Sequence, residues 1–363
     1  MTLRALFGVL VWLVSIGTAG AATPAWPTQE GDFVVHDFRF ASGETLAELR
    51  LHYLTLGTAR RDAAGLVTNA VLVLHGTGGD GRQFLRPQFA NELYGPGQPL
   101  DITRYYVILP DGIGHGHSSK PSDGAHARFP PYGYTDMVEA QHRLLVDGLG
   151  VGHLRLLMGT SMGCMHGFLW AEQYPAFMDG LMPLACLPVQ IAGRNRMWRR
   201  MIIDAIREDP AWKGGDYETE PTGALRTASA LLMIAGSAPV WWQSEWPTRD
   251  TADRRVAEYT AGSLPSLDAN DLLYQVGASR DYDPSPALPS IAAPVLWINS
   301  ADDFINPPEL GIAEAQAKRL RHGRFVLLPA STTTRGHGSH TWAALWKDEL
   351  VSFLQATEPA AGR

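Results

Sequence analysis

The sequence predicts an α/β fold with a mostly parallel central sheet, an N-terminal hairpin and an inserted helical lid. Short apolar runs, such as residues 70–74 and 105–109, alternate with segments of helical spacing. That rhythm is typical of a parallel sheet covered by helices on both faces. It stops between residues 189 and 283, where the composition is helical and rich in Trp and Met, and it resumes afterwards.

The N-terminal segment predicts export. Arg4 precedes an apolar run over residues 5–16, and small residues then lead to Ala21, which fits cleavage by signal peptidase. The run is too short to span a bilayer comfortably, so cleavage is favoured over a retained anchor. We therefore expect residues 1–21 to be a signal peptide. The mature protein is then periplasmic or secreted, without stable membrane insertion.

The core domain is assigned to residues 27–188 and 284–358, and the helical lid to residues 189–283. Strand patterns at residues 33–40 and 46–56 predict the N-terminal hairpin. The further strands are expected at residues 70–74, 105–109, 154–158, 180–185, 294–299 and 324–328. Helices are expected at residues 135–149, 162–172, 308–319 and 341–354.

Charge and cysteine content exclude some classes of partner. The formal net charge is −7 and no basic cluster suits phosphates, so nucleic acid is not expected as a partner. The two cysteines, Cys164 and Cys186, have no CxxC spacing and suggest no thiolate metal site. An oxidising compartment permits a disulfide between them. Two separate buried thiols are the favoured interpretation.

A pentapeptide in the core matches the motif G-x-S-x-G. It reads Gly159-Thr160-Ser161-Met162-Gly163, between a predicted strand and a predicted helix. A strand-to-helix turn of this kind presents a serine hydroxyl on a sharp bend, and the flanking glycines let neighbouring backbone come close. Because this context fits as well as the pentapeptide, we predict that Ser161 is a nucleophile and not part of an ordinary glycine-rich turn.

Two loops downstream of the lid carry the acid and base that a serine nucleophile needs. In this arrangement the chain order is serine, then Asp or Glu, then histidine. Asp302 and Asp303 follow the strand at residues 294–299, and Asp303 is favoured because Phe-Ile-Asn-Pro follows it. His337 and His340 lie in the loop after the next strand. His337 is favoured because it directly follows a glycine, with His340 as the alternative.

Backbone N–H groups are expected to stabilise the oxyanion that forms when a serine attacks a carbonyl group. One donor is predicted at Met162, directly after the nucleophile. The second is expected in the loop at residues 75–79 (HGTGG), which follows the strand at residues 70–74. Thr77 is the favoured donor in that loop.

Four histidines could suggest a metal: His115 and His117, which are near each other, and His337 and His340. No carboxylates at ligand spacing accompany them, so we predict no metal site and no cofactor. His115 and His117 are expected to be turn residues at the mouth of the pocket. His166, in the helix after the G-x-S-x-G motif, is expected to be an interior histidine.

The chain resembles the homoserine O-acetyltransferase-like branch of the α/β-hydrolase superfamily over nearly its whole mature length. Four segments carry the resemblance: residues 136–141 (DMVEAQ), 159–165 (GTSMGCM), 205–217 (AIREDPAWKGGDY) and 268–283 (DANDLLYQVGASRDYD). The last two lie in the lid and separate this branch from other hydrolases. The resemblance implies an α/β-hydrolase fold. It places the nucleophile at Ser161, the acid at Asp303 and the histidine in the loop at residues 336–340.

Two features favour hydrolysis over acyl transfer. In the acetyltransferases that the chain resembles, the catalytic histidine is usually followed by an aspartate associated with the amino-acid substrate. Here Gly338 follows His337, and Thr341 follows His340. The predicted export also removes the protein from acyl-CoA.

We therefore predict a serine hydrolase that cleaves a small-molecule carboxylic ester, or as a second choice an amide, through an acyl-enzyme on Ser161. The alternatives are a CoA-dependent O-acyltransferase and a catalytically silent binding protein. The sequence leaves open the acyl and alcohol parts of the substrate, and also whether the protein forms a homodimer.

Overall fold

The computed structural model describes residues 26–358, so the predicted signal peptide at residues 1–21 lies outside the described chain. The strands are β1 (Thr28–Arg39), β2 (Thr45–Leu56), β3 (Ala70–Leu74), β4 (Tyr106–Pro110), β5 (Leu156–Thr160), β6 (Leu181–Leu184), β7 (Val295–Ser300) and β8 (Gly323–Leu328). Across this described part they form one eight-stranded sheet in the order β1-β2-β4-β3-β5-β6-β7-β8. The predicted α/β fold is confirmed. β1 and β2 form the antiparallel N-terminal hairpin, β2 pairs antiparallel with β4, and β3 to β8 pair in parallel.

The apolar runs of the sequence form the centre of this sheet. All five residues of β3 are buried, as expected for a parallel strand that is covered on both faces. Because successive side chains of a strand point to opposite faces, Leu72 and Leu74 enter one core cluster and Val71 and Val73 enter the other. The sheet therefore separates two apolar layers.

Helices cover both faces of the sheet and also build the segment between β6 and β7. The helices are α1 (Pro87–Leu93), α2 (Tyr134–Arg143), α3 (Met162–Gln173), α4 (Gly193–Glu208), α5 (Thr222–Ala235), α6 (Pro239–Glu245), α7 (Arg249–Ser263), α8 (Ala269–Gly277), α9 (Ile312–Ala317) and α10 (Lys347–Ala356). α2 and α3 pack on the face of Leu72 and Leu74. α1 and α10 pack on the face of Val71 and Val73.

The helices α4 to α8 lie between β6 and β7, in the segment predicted as a lid, and have a core of their own. Ile202 and Ile206 are four residues apart on α4 and both are fully buried, so they share one face of that helix. They belong to an apolar cluster with Leu225 of α5 and Leu272 of α8. At least one of the tryptophans of this segment, Trp198, is buried in that core.

The parallel strands bring the functional loops to one edge of the sheet. β3, β5, β7 and β8 run in the same direction, so their carboxyl ends meet at that edge. In open α/β sheets this edge is where ligands bind. The loops that carry Thr77, Ser161, Asp303 and His337 all leave the sheet there.

Two helix predictions differ from the structure, and α1 was not predicted. The helix predicted at residues 308–319 is a short 3₁₀ turn followed by α9, and Gly311 separates them with a φ of +63°, a left-handed conformation that glycine adopts readily. The last helix starts at Lys347 and not at Thr341, because side-chain hydrogen bonds hold residues 336–341 in a tighter turn, such as that from Thr341 Oγ1 to Gly338 O.

The preference for two separate thiols was wrong, because Cys164 and Cys186 form a disulfide. Cys164 lies in the first turn of α3, Cys186 lies just beyond β6, and their Cα atoms are 5.9 Å apart. Both residues are buried, as expected from their apolar surroundings. The pairing follows from the parallel neighbours β5 and β6, whose ends bring the two cysteines together, and their 22-residue separation in sequence does not reveal it.

No single helix within residues 26–358 combines the length and hydropathy needed to cross a bilayer. Helices α5 and α6 meet these requirements only when taken together, across a bend of 107°.

Candidate active site

Ser161 stands on a sharp turn between β5 and α3. Its backbone has φ +53° and ψ −108°, and its N–H donates to Leu184 O at 2.8 Å. Both glycines of the motif are required, because neighbouring backbone atoms leave no room for a side chain at either position. A Cβ on Gly163 would lie 2.2 Å from Leu74 O, and one on Gly159 would lie 2.0 Å from Gly163 O. The motif therefore folds here as a strained strand-to-helix turn that holds the serine side chain at the edge of the sheet.

His337 connects Ser161 to Asp303. Its Nε2 atom lies 2.8 Å from Ser161 Oγ, and its Nδ1 atom lies 2.9 Å from Asp303 Oδ2. In the neutral form of the ring, these partners place the proton on Nδ1, which donates to the carboxylate, and leave Nε2 to accept from the serine hydroxyl. Gly336 directly before it has φ +58°, and a Cβ there would lie 2.2 Å from Ser237 O. A larger residue would displace the loop that carries His337.

Asp303 is buried, and both of its carboxylate oxygens accept hydrogen bonds. Oδ1 accepts from the N–H groups of Ile305 at 2.7 Å and Asn306 at 3.2 Å, and Oδ2 accepts from Asn306 Nδ2 at 3.0 Å. Burial raises the pKa of this carboxyl group, but the charge and hydrogen bond of His337 and the bonds from Asn306 and Ile305 outweigh it, so the pKa lies below its usual value. The carboxylate is therefore ionised and oriented towards His337.

The two alternatives left by the sequence, Asp302 and His340, occupy other positions. Asp302 accepts from Thr334 Oγ1 at 2.7 Å and from the Gly336 N–H at 3.2 Å, so it anchors the loop that carries His337. The ring of His340 packs edge-on against that of His337, with 5.3 Å between centroids. Burial, and then the charge of His337, lowers the pKa of His340 to about 3. His340 is therefore a neutral neighbour of His337.

The predicted oxyanion donors belong to α3 and to the loop at residues 75–79, both of which contact Ser161. Met162 is the first residue of α3, so its N–H has no acceptor within the helix, whereas the next N–H, of Gly163, donates to His75 O at 2.9 Å. The loop at residues 75–79 packs on the serine, since a Cβ on Gly76 would lie 3.2 Å from Ser161 Cβ. Thr77 follows Gly76 in this loop. The donor roles of Thr77 and Met162 stay predictions.

His75 is a positioning residue that the sequence analysis did not single out. It is buried, its Nδ1 lies 2.9 Å from Gly76 O, and its Nε2 accepts from the Gly112 N–H at 2.9 Å. Burial lowers the pKa of this histidine, which keeps Nε2 available as an acceptor. His75 thus ties the loop that carries Thr77 to the loop after β4. The signal in the sequence that could have identified His75 is its position directly after the apolar strand β3.

Two other histidines do not lie where they were expected. His115 was predicted at the mouth of the pocket, but it is buried against His75 with 5.0 Å between ring centroids. His117 packs against His52 at 5.1 Å. Neither borders the cavity beside Ser161. The prediction failed because the turn after β4 folds inward, with the Ser118 hydroxyl donating to Asp111 O. His166 is an interior residue as expected, and its Nδ1 lies 3.2 Å from Gln141 Nε2.

A cavity of about 770 Å³ opens beside Ser161. Apolar side chains from the segment after β6 and from the loop after β7 form much of its wall. They are Leu187, Val189, Ile191, Phe304, Ile305, Leu310 and Ile312, together with Met165 of α3. Polar residues from the first half of α4 complete it: Arg194, Asn195 and Arg199. Such a cavity suits a small molecule that carries both apolar and polar groups.

The described residues contain no group of three or more His, Cys, Asp or Glu side chains that could hold a metal ion. Ser161, His337 and Asp303 are the side chains that hydrogen bonds bring together at this site. Their arrangement can remove a proton from a serine hydroxyl and return it to a leaving group.

The fold and this site define the class of protein. A family model described as alpha/beta hydrolase fold matches residues 69–332, and the chain belongs to that family. Within it, the chain is similar to homoserine O-acetyltransferases.

Relatives that match most of the chain include acyltransferases. A probable acyltransferase from Methanothermobacter thermautotrophicus is 32% identical over 324 residues, which covers 89% of this chain and 96% of that protein. A homoserine O-acetyltransferase from Pelobacter propionicus is 30% identical, with 82% of this chain and 88% of that protein covered.

Solved structures share the fold at lower identity. The homoserine O-acetyltransferase from Bacillus anthracis matches with a TM-score of 0.78 and 21% identity, covering 90% of this chain and 97% of that one. An acetylester hydrolase from Corynebacterium glutamicum matches with a TM-score of 0.79 and 20% identity, covering 90% and 96%.

Proposed function

We propose that this protein transfers a small acyl group from a carboxylic ester or thioester through an acyl-enzyme on Ser161. The observation that carries the proposal is the continuous line of hydrogen bonds from Ser161 Oγ through His337 to Asp303, at 2.8 and 2.9 Å, in the wall of a cavity. A nucleophile, a base within reach of it and an acid that orients the base are the groups needed for covalent acyl transfer.

The proposed reaction has two halves. Ser161 Oγ attacks the carbonyl carbon while His337 Nε2 takes the hydroxyl proton, and the carbonyl oxygen becomes an oxyanion held by the N–H groups of Met162 and Thr77. The carbon–oxygen or carbon–sulfur bond to the leaving group then breaks, and His337 returns the proton to that group. In the second half an acceptor hydroxyl gives its proton to His337 and attacks the carbonyl carbon of the acyl-enzyme. The bond from that carbon to Ser161 Oγ then breaks, and His337 returns the proton to Ser161.

The acceptor distinguishes a transferase from a hydrolase. The sequence relatives over most of the chain are named as acyltransferases, which supports a small hydroxyl compound as the acceptor, and we adopt that proposal. Hydrolysis, with water as the acceptor, is the second candidate. It is supported by Gly338, which follows His337 where the related acetyltransferases usually carry an aspartate, and by the predicted signal peptide at residues 1–21.

One experiment tests the acyl-enzyme and the acceptor together. The purified protein and its Ser161→Ala variant are treated with a fluorophosphonate, and each is also assayed with a short-chain acetyl ester or acetyl-CoA, with and without homoserine and other small alcohols. We expect labelling of the wild type only, and formation of an O-acetyl product faster than free acetate. Free acetate released at a rate independent of every acceptor would establish hydrolysis. If the wild type shows no labelling and no turnover, both candidate functions are contradicted.

We also propose that the mature protein is exported. The support is the apolar segment and the small residues that end at Ala21. Expression with the whole segment followed by mass measurement of the periplasmic and secreted fractions tests this proposal. We expect a mature chain that begins at Ala22, and a full-length chain retained in the cytoplasm would refute it.

A further inference from the structure

Arg199 is a buried cation in the wall of the cavity that contains Ser161. It lies in the middle of α4, and only 2% of its surface is exposed. Its neighbour Arg200 faces outward instead and pairs with Asp204 at 2.6 Å. Arg199 therefore lies on the inner face of α4, towards the cavity that it borders together with Ser161 and His337.

The guanidinium group of Arg199 is only partly satisfied. Its Nε donates to Asn195 Oδ1 at 3.0 Å, and its central carbon lies 4.8 Å from the ring centroid of Trp198. Its Nη1 atom is buried and has no hydrogen-bond partner among the described residues. Within residues 26–358 no carboxylate oxygen lies within 4.0 Å of its nitrogen atoms.

The acidic residues of the same cavity are occupied elsewhere. Asp303 binds His337 and two backbone N–H groups. Asp302 binds Thr334 and the Gly336 N–H. Glu309, the third acid in the cavity wall, is exposed to solvent. The protein therefore supplies no counter-charge for Arg199 from its own cavity wall.

An arginine side chain keeps its charge in a protein, and burying that charge without a partner is costly. A ligand carboxylate would remove the cost, because two parallel N–H···O bonds match the planar guanidinium group. The cavity, with about 770 Å³, can hold a small molecule that reaches Ser161 with a carbonyl group and Arg199 with a second group.

We propose that Arg199 binds a carboxylate of the substrate and so makes the enzyme selective for anionic small-molecule esters. This inference rests on the proposed acyl-enzyme at Ser161. The carboxylate can belong to the acyl group that is transferred or to the alcohol part of the ester, and both sources offer the same chemistry to Arg199.

Matched ester pairs distinguish these two sources. Monoethyl succinate carries the carboxylate on its acyl group, and ethyl valerate is its neutral counterpart. O-acetyl-glycolate carries the carboxylate on its alcohol part, and isobutyl acetate is its neutral counterpart. We expect kcat/KM of the wild type to be at least about tenfold higher for the anionic ester in one of the two pairs, as for a hydrogen bond to a charged group.

Variants on the two faces of α4 separate the role of Arg199 from a general effect of charge. Arg199→Met should lower kcat/KM for the anionic ester at least about tenfold more than for the neutral ester, while Arg199→Lys should keep part of the preference. Arg200→Met, on the exposed face, should change neither value. If Arg199→Met does not fold, Arg199→Gln removes the charge and keeps a donor for Asn195.

A second measurement does not depend on turnover. Free succinate should slow fluorophosphonate labelling of Ser161 in the wild type and in Arg200→Met, and this protection should be lost in Arg199→Met. Labelling and ester turnover without anionic preference or succinate protection would overturn the role of Arg199 and leave the acyl-enzyme in place. Equal losses for anionic and neutral esters in Arg199→Met would also overturn it. Absence of both labelling and turnover would instead overturn the proposed function.

Discussion

His337 and His340 lie side by side, with their ring centroids 5.3 Å apart and their planes at 80°, yet their neighbours differ. The Nε2 atom of His337 lies 2.8 Å from Ser161 Oγ. The Nδ1 atom of His340 is buried and has no hydrogen-bond partner among the described residues. The first ring is placed to exchange a proton with the serine, whereas the second packs against the first.

Separate alanine substitutions should therefore have very different effects. In His337→Ala the base is lost, and kcat should fall by at least about 10⁴-fold, as it does when a serine nucleophile loses its partner histidine. His340→Ala removes only packing beside His337, and its kcat should remain within about tenfold of the wild type. Initial rates with a short-chain ester measure both effects.

Circular dichroism of both variants controls for loss of the fold. An inactive, folded His340→Ala together with an active His337→Ala would reverse the assignment and make His340 the base.

The parts of the fold that sequence predicted well are those with local signals. The five apolar residues of β3 are recognisable without knowledge of their neighbours, because a strand buried on both faces needs apolar side chains throughout. The turn at Ser161 is recognisable because it needs glycine at positions 159 and 163, where neighbouring backbone comes too close for a Cβ atom. The G-x-S-x-G motif made Ser161 a candidate, and the chain order serine, then acid, then histidine led from it to Asp303 and His337.

The features that sequence did not reveal depend on contacts between distant segments. Nothing local to Cys164 or Cys186 indicates that β5 and β6 are neighbours, so the disulfide was missed. Arg199 lies in a helix with other arginines, and only the packing of α4 on the cavity distinguishes it from the exposed Arg200. The sequence pattern shows which face of a helix or strand is apolar, but it does not show which other element packs against that face.

The strained backbone at Ser161 predicts a stability difference between two inactive variants. A residue with a side chain at φ +53° and ψ −108° is strained by roughly 1–3 kcal/mol, and glycine relieves that strain at an entropic cost of roughly 0.5–1 kcal/mol. Ser161→Gly should therefore have a free energy of unfolding about 1 kcal/mol above that of Ser161→Ala. Urea denaturation measures the difference.

Ala171→Gly, in the ordinary helical backbone of α3, is the matched control and should lower the free energy of unfolding by roughly 0.5–1 kcal/mol. If glycine destabilises both positions to the same extent, the backbone at Ser161 is not strained in solution.

The disulfide between Cys164 and Cys186 should stabilise the fold beside the nucleophile. It closes a loop of 22 residues in sequence, and the chain-entropy model gives about 3 kcal/mol for a loop near this length. The double variant Cys164→Ala/Cys186→Ala should lose about that much free energy of unfolding, measured by urea denaturation. A reductant should lower the midpoint of the wild type and leave the double variant unchanged. Equal sensitivity of both proteins to reductant would show that this bond does not contribute.

Buried neutral histidines predict acid sensitivity of the fold. Burial, and then the charges of neighbouring histidines, lowers the pKa values of His166 and His340 from 6.5 to about 3. Below about pH 6.5 the unfolded chain therefore binds protons that the folded chain does not, so the free energy of unfolding falls as the pH falls towards 3, by up to about 1.4 kcal/mol per pH unit for each group. Above about pH 7.5 both states are neutral at these sites, and the contribution is complete and constant.

The variant His340→Leu removes one of these two groups and should flatten that dependence by nearly one proton, or about 1.4 kcal/mol per pH unit, between pH 6 and 4. Leucine suits the site because His340 is partly buried beside His337 and its buried Nδ1 has no hydrogen-bond partner among the described residues. His36→Gln is the control, since 71% of the His36 side chain is exposed, and it should leave the dependence unchanged. Urea denaturation at a series of pH values measures all three proteins. Parallel curves for the wild type and His340→Leu would mean that His340 titrates in the folded protein as it does in the unfolded chain.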